Sequence, residues 1–402
     1  MGSELANDDN YNDDNYNDSY LKGVCTKFPA MRKLIIIAHL LLPGIVNAAT
    51  AVTRYVNTDC ANNGDGTAST CAASAGAAGA YTTFDNSVTD IVADYPNMVS
   101  SDVQVTVDLR GAAADTSNPN ITGTTTDATR YLRFVVDQSR RHDGKWNTGV
   151  YRLVNNGYSG ALLVNESFVR LEGLQVEQTR TGAGAGTPAG GIKVQDSGSS
   201  GDIRVENCIL RYTGDYTNQV ENYGIYDADA GSSQVLIVRN NIVYDFDRNL
   251  LLRTGTSDVT VAYNNTLVDG VTEGFSYRLY GSGATFYMKN NLVQGSATNY
   301  NADGSSGATL TSATNLSEDA SSPNSANRSK VITFVNEGSN DFHLDSGETD
   351  AVDAGTDLSG DTYSFSTDID GATRSGTWDI GADEITAAAV KTLSVLNAMG
   401  EL

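Results

Sequence analysis

One pattern recurs along the middle of this 402-residue chain and narrows what it can fold into. The segments Val169–Gly173 (VRLEG), Ile203–Asn207 (IRVEN), Leu236–Asn240 (LIVRN) and Phe286–Asn290 (FYMKN) align without gaps, and Thr260–Asn264 (TVAYN) fits the same frame. Their last positions advance by 24 to 34 residues, and an apolar pair follows, as in Ile209-Leu210, Ile242-Val243 and Leu292-Val293. A second apolar column, starting at Ala161, Ile192, Ile225, Leu250 and Phe275, steps by 31, 33, 25 and 25 residues. Two registers that move together mark an internal repeat, the signature of a stacked architecture.

The repeating units are short period-2 segments separated by Gly, Asn, Ser and Asp, so they read as strands rather than helices. Two or three strands per unit with no helix between them suit a coil of parallel β-structure. In such a coil each turn pairs with the next about 4.8 Å away and buries its apolar side chains against its neighbours. Asn207, Asn240, Asn264 and Asn290 end their strands at equivalent corners. Asparagine tolerates the left-handed backbone that a sharp corner needs, and its amide can bond to the equivalent amide one coil away, forming a ladder.

With the motifs Asn240-Asn241-Ile242-Val243, Asn264-Asn265-Thr266-Leu267 and Asn290-Asn291-Leu292-Val293, the chain resembles the right-handed parallel β-helix proteins of the pectate-lyase-like superfamily. Thr367–Gly371 (TDIDG) and Trp378–Glu384 (WDIGADE) are similar to the closing segment of secreted bacterial members. The resemblance spans residues 52–384. It implies an all-β fold, a single-stranded right-handed parallel β-helix, on which an exposed parallel sheet commonly forms a polysaccharide groove. The familiar lyase signatures of the superfamily have no residue-by-residue match here, and fold alone does not settle activity.

The ends read differently. Residues 1–30 form an acidic, disordered leader with the tandem polar run Asn7–Asp18, and residues 31–48 read as a secretory signal. Arg32 and Lys33 precede an apolar run, Leu34–Val46, that is too short to span a bilayer, and cleavage is expected near Ala48. Residues 49–100 are expected to cap the first coil, residues 101–384 to form the β-helix and residues 385–402 a short tail. In the cap, Phe84, Val88, Ile91 and Val92 fall on one face of a helix that stops before Pro96. Cys60 and Cys71 bracket a small-residue loop and, in an exported chain, are expected to form a disulfide. Cys208 is expected to be a small buried apolar residue.

Charge bears on partners. Lys and Arg number 26 against 49 Asp and Glu, a net charge of −23, and residues 49–402 keep 22 of the bases and 43 of the acids. Such a surface repels nucleic acid and anionic lipid. The expected product is a secreted or surface-held monomer with no membrane span.

Strand alternation selects the candidate site. With Ile192/Val194, Leu250/Leu252 and Phe275/Tyr277 inward, the outward residues include Lys193, Gln195, Tyr226, Arg253, Ser276 and Arg278. Arg253 and Arg278 then lie one strand spacing apart, an unfavourable arrangement unless anions neutralise them. An acidic polysaccharide would supply its uronate carboxylates to Arg253, Arg278 and Lys193, with Tyr226 against a sugar ring and Gln195 hydrogen-bonding. Neutralising the carboxylate acidifies the C5 proton, which a basic side chain removes in β-elimination. Asp227 and Asp229, or Asp245 and Asp247, could hold a bridging Ca²⁺. Against this stand a solvated strand face whose arginines pair with Asp227 or Asp229, hydrolysis by the Asp245/Asp247 carboxylates, and a non-catalytic adhesin, surface structural protein or glycan-binding module. Residues 49–402 contain only two histidines, His142 and His343, neither beside a nucleophile motif. The His142-Asp143 neighbourhood is expected to hydrogen-bond between coils.

Overall fold

Alternation governs each repeat from the start. In Val103–Arg110 the residues Val103, Val105, Val107 and Leu109 are buried while the residues between them are partly exposed, the pattern of a strand with one face on a core. A computed structural model describes residues 48–385 except 158, 182–188, 196–199, 216–220, 229–232 and 306. The chain divides into residues 1–48 and 49–402, and the second unit is the one described. The leader, the signal segment and the residues 386–402 lie outside the described residues, as does Asp229.

The second unit is a parallel β-helix. The chain visits three long parallel sheets in turn, of nine, eight and seven strands. The first carries the repeat motif, including Val169–Glu172, Asp202–Glu206, Val235–Arg239, Val259–Tyr263 and Thr285–Lys289. The second holds the apolar pairs, including Ile209–Tyr212, Ile242–Tyr244, Thr266–Val268 and Leu292–Gln294. The third holds the second column, including Leu162–Val164, Ala189–Val194, Asn222–Asp227, Arg248–Thr254, Glu273–Leu279 and Thr298–Ser305. Like positions stack: Val205 pairs with Val238, Val238 with Ala262, and Ala262 with Met288. The stacked inward residues form one continuous core.

Thr50–Asn57, a strand not picked out in the sequence, pairs in parallel with Val103–Arg110 at the end of the first sheet. Helix α1 (Phe84–Asp94) covers this end. Thr83 caps it by accepting the Asn86 N–H at 3.2 Å, and Phe84, Val88 and Ile91 are buried. Phe84 packs on Phe134 with ring centroids 4.6 Å apart. Cys60 and Cys71 are disulfide-bonded.

Asn207, Asn240, Asn264 and Asn290 all have positive φ, between 50° and 56°, as a corner requires. Their amides are bridged from Asn240 to Asn207 and from Asn290 to Asn264, at 3.3 and 3.1 Å. The unbroken ladder lies one residue further on. Asn241 donates to Asn265, Asn265 to Asn291, Asn291 to Asn315 and Asn315 to Asn324, all at 2.8–3.0 Å. Each of the four donors also bonds a main-chain carbonyl, and the four are fully buried. The outer column turns to the C-terminal segment instead. Asn240 donates to Thr367 O, Asn264 to Asp379 O and Gly381 O, and Asn290 to Thr356 O.

That segment follows a short antiparallel pair, Phe334–Asn336 with Asp341–Leu344, and then runs back along the asparagine corner. Arg374 anchors it: buried, it donates to Asn240 Oδ1, Gly381 O, Ala382 O and Glu384.

Candidate functional site

The third sheet sets the outward residues in register. Lys193 pairs with Tyr226, Tyr226 with Leu251, Leu251 with Ser276, and Arg253 with Arg278. The inward partners Ile192, Val194, Leu250, Leu252 and Phe275 are fully buried. The outward face is drier than a solvated strand face: Leu251 and Ser276 are buried, Tyr226 is 7% exposed and Lys193 8% exposed. Tyr223, Tyr226 and Leu251 form a small apolar cluster outside the main core, with the two tyrosine rings 4.6 Å apart.

Two cations share the Tyr226 ring. Lys193 Nζ lies 5.8 Å and Arg253 Cζ 5.2 Å from its centroid, both within cation–π range. Arg253 also donates to Tyr226 Oη at 3.2 Å and to Ala228 O at 3.1 Å. Most described arginines and lysines lie within 4.0 Å of a carboxylate, but Lys193 and Arg253 do not. Arg278, by contrast, pairs with Asp303 at 3.0 Å. Arg248 sits between Glu221 and Glu273, at 3.0 and 2.7 Å. Lys193 stands apart even from Arg253: among the described residues its ammonium has no hydrogen-bond partner. Burial alone draws its pKa below the ordinary lysine value.

Gln195 is exposed, just past the end of the Lys193 strand. Asp227 is elsewhere. It pairs with Val194, whose side chain faces the core, and is 1% exposed. Successive residues of a strand face opposite ways, so Asp227, following Tyr226, is turned away from the outward cations. Asp245 and Asp247 flank buried Phe246 in the turn between the second and third sheets. Burial, and then Asp269, pushes the Asp245 carboxyl up to about 6. Burial also raises Asp247. Among the described residues neither joins a group of three converging metal-ligating side chains.

Tyr280 extends the face and was not singled out in the sequence. It is 41% exposed, and its ring lies over Gly304, where a Cβ would stand 2.6 Å from it. Tyr280 lies just past the strand end at Leu279, after a register shift that interrupts the alternation, so residue spacing does not point to it. A cavity of about 430 Å³ on the outer face of the first sheet includes Thr53, Thr106, Arg133, Arg141 and Glu172 in its lining. Its cations are engaged, Arg133 with Glu172 at 2.9 and 2.5 Å and Arg141 with Ile369 O at 2.9 Å. His142 is buried and bonds Asn207 O at 2.8 Å, tying the connection after the early coils to a later corner.

No protein-family model matches the chain, and no curated protein matches it. No helix among the described residues is long and apolar enough to cross a membrane.

Proposed function

We propose that the outer face of the third sheet binds an acidic polysaccharide, with uronate carboxylates settling on Lys193 and Arg253. The observation that carries this reading is the Lys193 ammonium, 8% exposed and without a hydrogen-bond or carboxylate partner among the described residues. A charge held away from water is unfavourable unless something compensates it. The chain has 49 acids to choose from, yet leaves this lysine and its neighbour Arg253 open while pairing most other cations. A ligand carboxylate would compensate both cations. Tyr226 positions both cations, Tyr280 offers an aromatic surface beside Arg278, and Gln195 a neutral hydrogen bond.

The same lysine favours cleavage by β-elimination. Burial lowers its pKa, and a lysine closer to neutrality is a better general base. In this reading Arg253 neutralises the uronate carboxylate and neutral Lys193 takes the C5 proton. The C4–O bond then breaks as the C4=C5 double bond forms, and the departing oxygen takes a proton from water to leave as a hydroxyl. The parallel β-helix supports a polysaccharide-interacting protein, and the disulfide is compatible with export. Membership of the pectate-lyase-like superfamily and a secreted monomeric state belong to the same proposal, as does a bridging Ca²⁺ at Asp245 or Asp247; Asp227, turned inward, is not available to it. A non-catalytic adhesin or glycan-binding module shares the face and lacks the proton transfer.

The test incubates the protein with alginate, pectate and glycosaminoglycans, with Ca²⁺ and with chelator, while unsaturated-uronate absorbance and binding are followed together. New absorbance that vanishes in Lys193→Met establishes a lyase. Binding without absorbance, lost in the same variant, establishes a binding module. Lack of binding to every polyuronate rejects the proposal.

A further inference from the structure

We propose that His343, Asp370 and Asp383 bind a divalent transition-metal ion, with zinc or manganese chemistry. They come from the antiparallel pair and from the returning C-terminal segment. Each presents one ligand atom within 4.8 Å of the other two. Closing such a group onto an ion takes shifts on the order of 1 Å, given metal–ligand bonds of about 2.0–2.2 Å.

The two nitrogens of His343 are treated differently. Nδ1 lies 2.5 Å from Asp341 Oδ1, a short hydrogen bond. Nε2 faces both oxygens of Asp370 at 3.3 and 3.2 Å. A charge-assisted N–H···O bond contracts to about 2.7–2.9 Å. Two ligands sharing one ion at about 2.1 Å stand roughly 3.0–3.4 Å apart at angles between square and tetrahedral. The Nε2–Asp370 contacts are long for such a bond, and their spacing also admits co-ligands of one ion. The Asp341–Nδ1 bond is the outer contact that fixes tautomer and ring orientation in histidine metal sites, leaving the Nε2 lone pair for the ion.

The surroundings fit as well. Asp383 is 7% exposed, and one of its oxygens is held by the Leu344 N–H at 2.8 Å. One side of the His343–Asp370 pair is closed by backbone alone. Gly144 has φ +80°, and a Cβ there would stand 2.2 Å from Nε2 and 2.5 Å from Asp370 Oδ1. Asp370 and Asp383 also line a cavity of about 370 Å³ together with Asp345, Asp368 and Glu384, a path along which a cation is drawn in. An imidazole ligand disfavours Ca²⁺ and Mg²⁺, which take oxygen, and favours zinc, while the two carboxylates leave manganese admissible. The bound ion would fasten the C-terminal segment to the antiparallel pair.

The test titrates the full, untagged, chelator-stripped chain calorimetrically with Zn²⁺, Mn²⁺ and Ca²⁺. One Zn²⁺ per chain is expected, with affinity falling at least tenfold in both His343→Gln and Asp370→Asn. Asp357→Asn, at an acid remote from the cluster, leaves affinity unchanged. Co²⁺ is expected to give a visible d–d absorption that disappears in His343→Gln. The Asp370 side chain is 35% exposed, so Asp370→Asn keeps the fold and circular dichroism verifies this. The proposal is overturned by affinity unchanged in the two ligand variants, by Ca²⁺ binding as tight as Zn²⁺, or by absence of Zn²⁺ binding.

Discussion

Arg253 meets Tyr226 twice, with its guanidinium carbon 5.2 Å from the ring centroid and Nη2 3.2 Å from the phenol oxygen. The same ring carries Lys193 on its own register row. Lys193 is held away from water with no carboxylate beside it, a desolvation cost that a bound anion would offset. Lys193→Met keeps the length of the stem and removes the charge. The variant is expected to gain on the order of 1 kcal/mol in urea unfolding and to lose at least tenfold in polyuronate affinity. A loss of stability together with unchanged binding would show Lys193 to be structural.

The two asparagine columns differ in backbone conformation more than in what their side chains bond. Asn291 is fully buried. It donates to Ala262 O and Asn315 Oδ1 and accepts from the Asn265 side chain and main chain. Asn291→Ala removes all four bonds and strands their partners in the core, and should cost about 3 kcal/mol or more. Asn290 holds φ 56° at the corner and is equally buried: it donates to Asn264 Oδ1 and Thr356 O and accepts from the Thr314 hydroxyl and the Thr356 N–H. Asn290→Gly relieves the backbone but also strands these four partners, so its cost should fall only a little below that, about 2 kcal/mol. Denaturant midpoints of the two variants decide whether the inner or the outer column holds the coils together.

Why the sequence placed the ladder one residue early is physical. The outer asparagines are conspicuous because each follows the aligned strand motif, and positive φ does explain them. Which of two adjacent amides points into the stack depends on the turn geometry of the corner, which residue spacing does not encode. Alternation likewise located Lys193, Tyr226, Arg253 and Arg278 on one face. Consistent use of the same rule turns Asp227 inward. Pairing between distant segments was not legible at all. His343 and Asp370 meet only because the C-terminal segment doubles back along the coils, and Asp303 reaches Arg278 only through the register of the last strands.

Two groups give stability opposite slopes in acid. Burial, then Asp269, raises Asp245 from its ordinary 3.8 to about 6. The native chain therefore holds a proton there that the unfolded chain has released. This contribution is complete below pH 3.8 and lost as pH rises through 6. Burial, then Arg141, lowers His142 from 6.5 to about 3. The unfolded chain takes up that proton first, so the contribution of His142 is complete above pH 6.5 and lost as pH falls towards 3. Asp245→Asn keeps a residue suited to φ 63° and should match the parent at pH 4. At pH 7 it should be more stable by on the order of 1 kcal/mol, after allowance for solvent screening of this half-buried group. Urea midpoints at the two pH values check this, and equal midpoints at pH 7 would contradict it.

Cys208 occupies the ladder position one coil before Asn241. Its N–H donates to Asn241 Oδ1 at 2.9 Å, as the Asn241 N–H does to Asn265. Its thiol lies 3.2 Å from Glu206 O and 3.8 Å from Leu171 O, the latter being the place matched by the Val205 O that Asn241 bonds. The thiol is fully buried, and burial pushes its pKa up to about 12, so it is inert and acts as a weak donor closing the ladder. Cys208→Asn should add a rung, with its amide donating to Leu171 O and to Asn241 Oδ1. Two new buried hydrogen bonds are worth about 1–2 kcal/mol, set against the slight extra volume. A rise in the urea midpoint with an unchanged slope would show that the ladder extends into earlier coils. A fall would mean that the space around Cys208 admits no amide and that the ladder ends at Asn241.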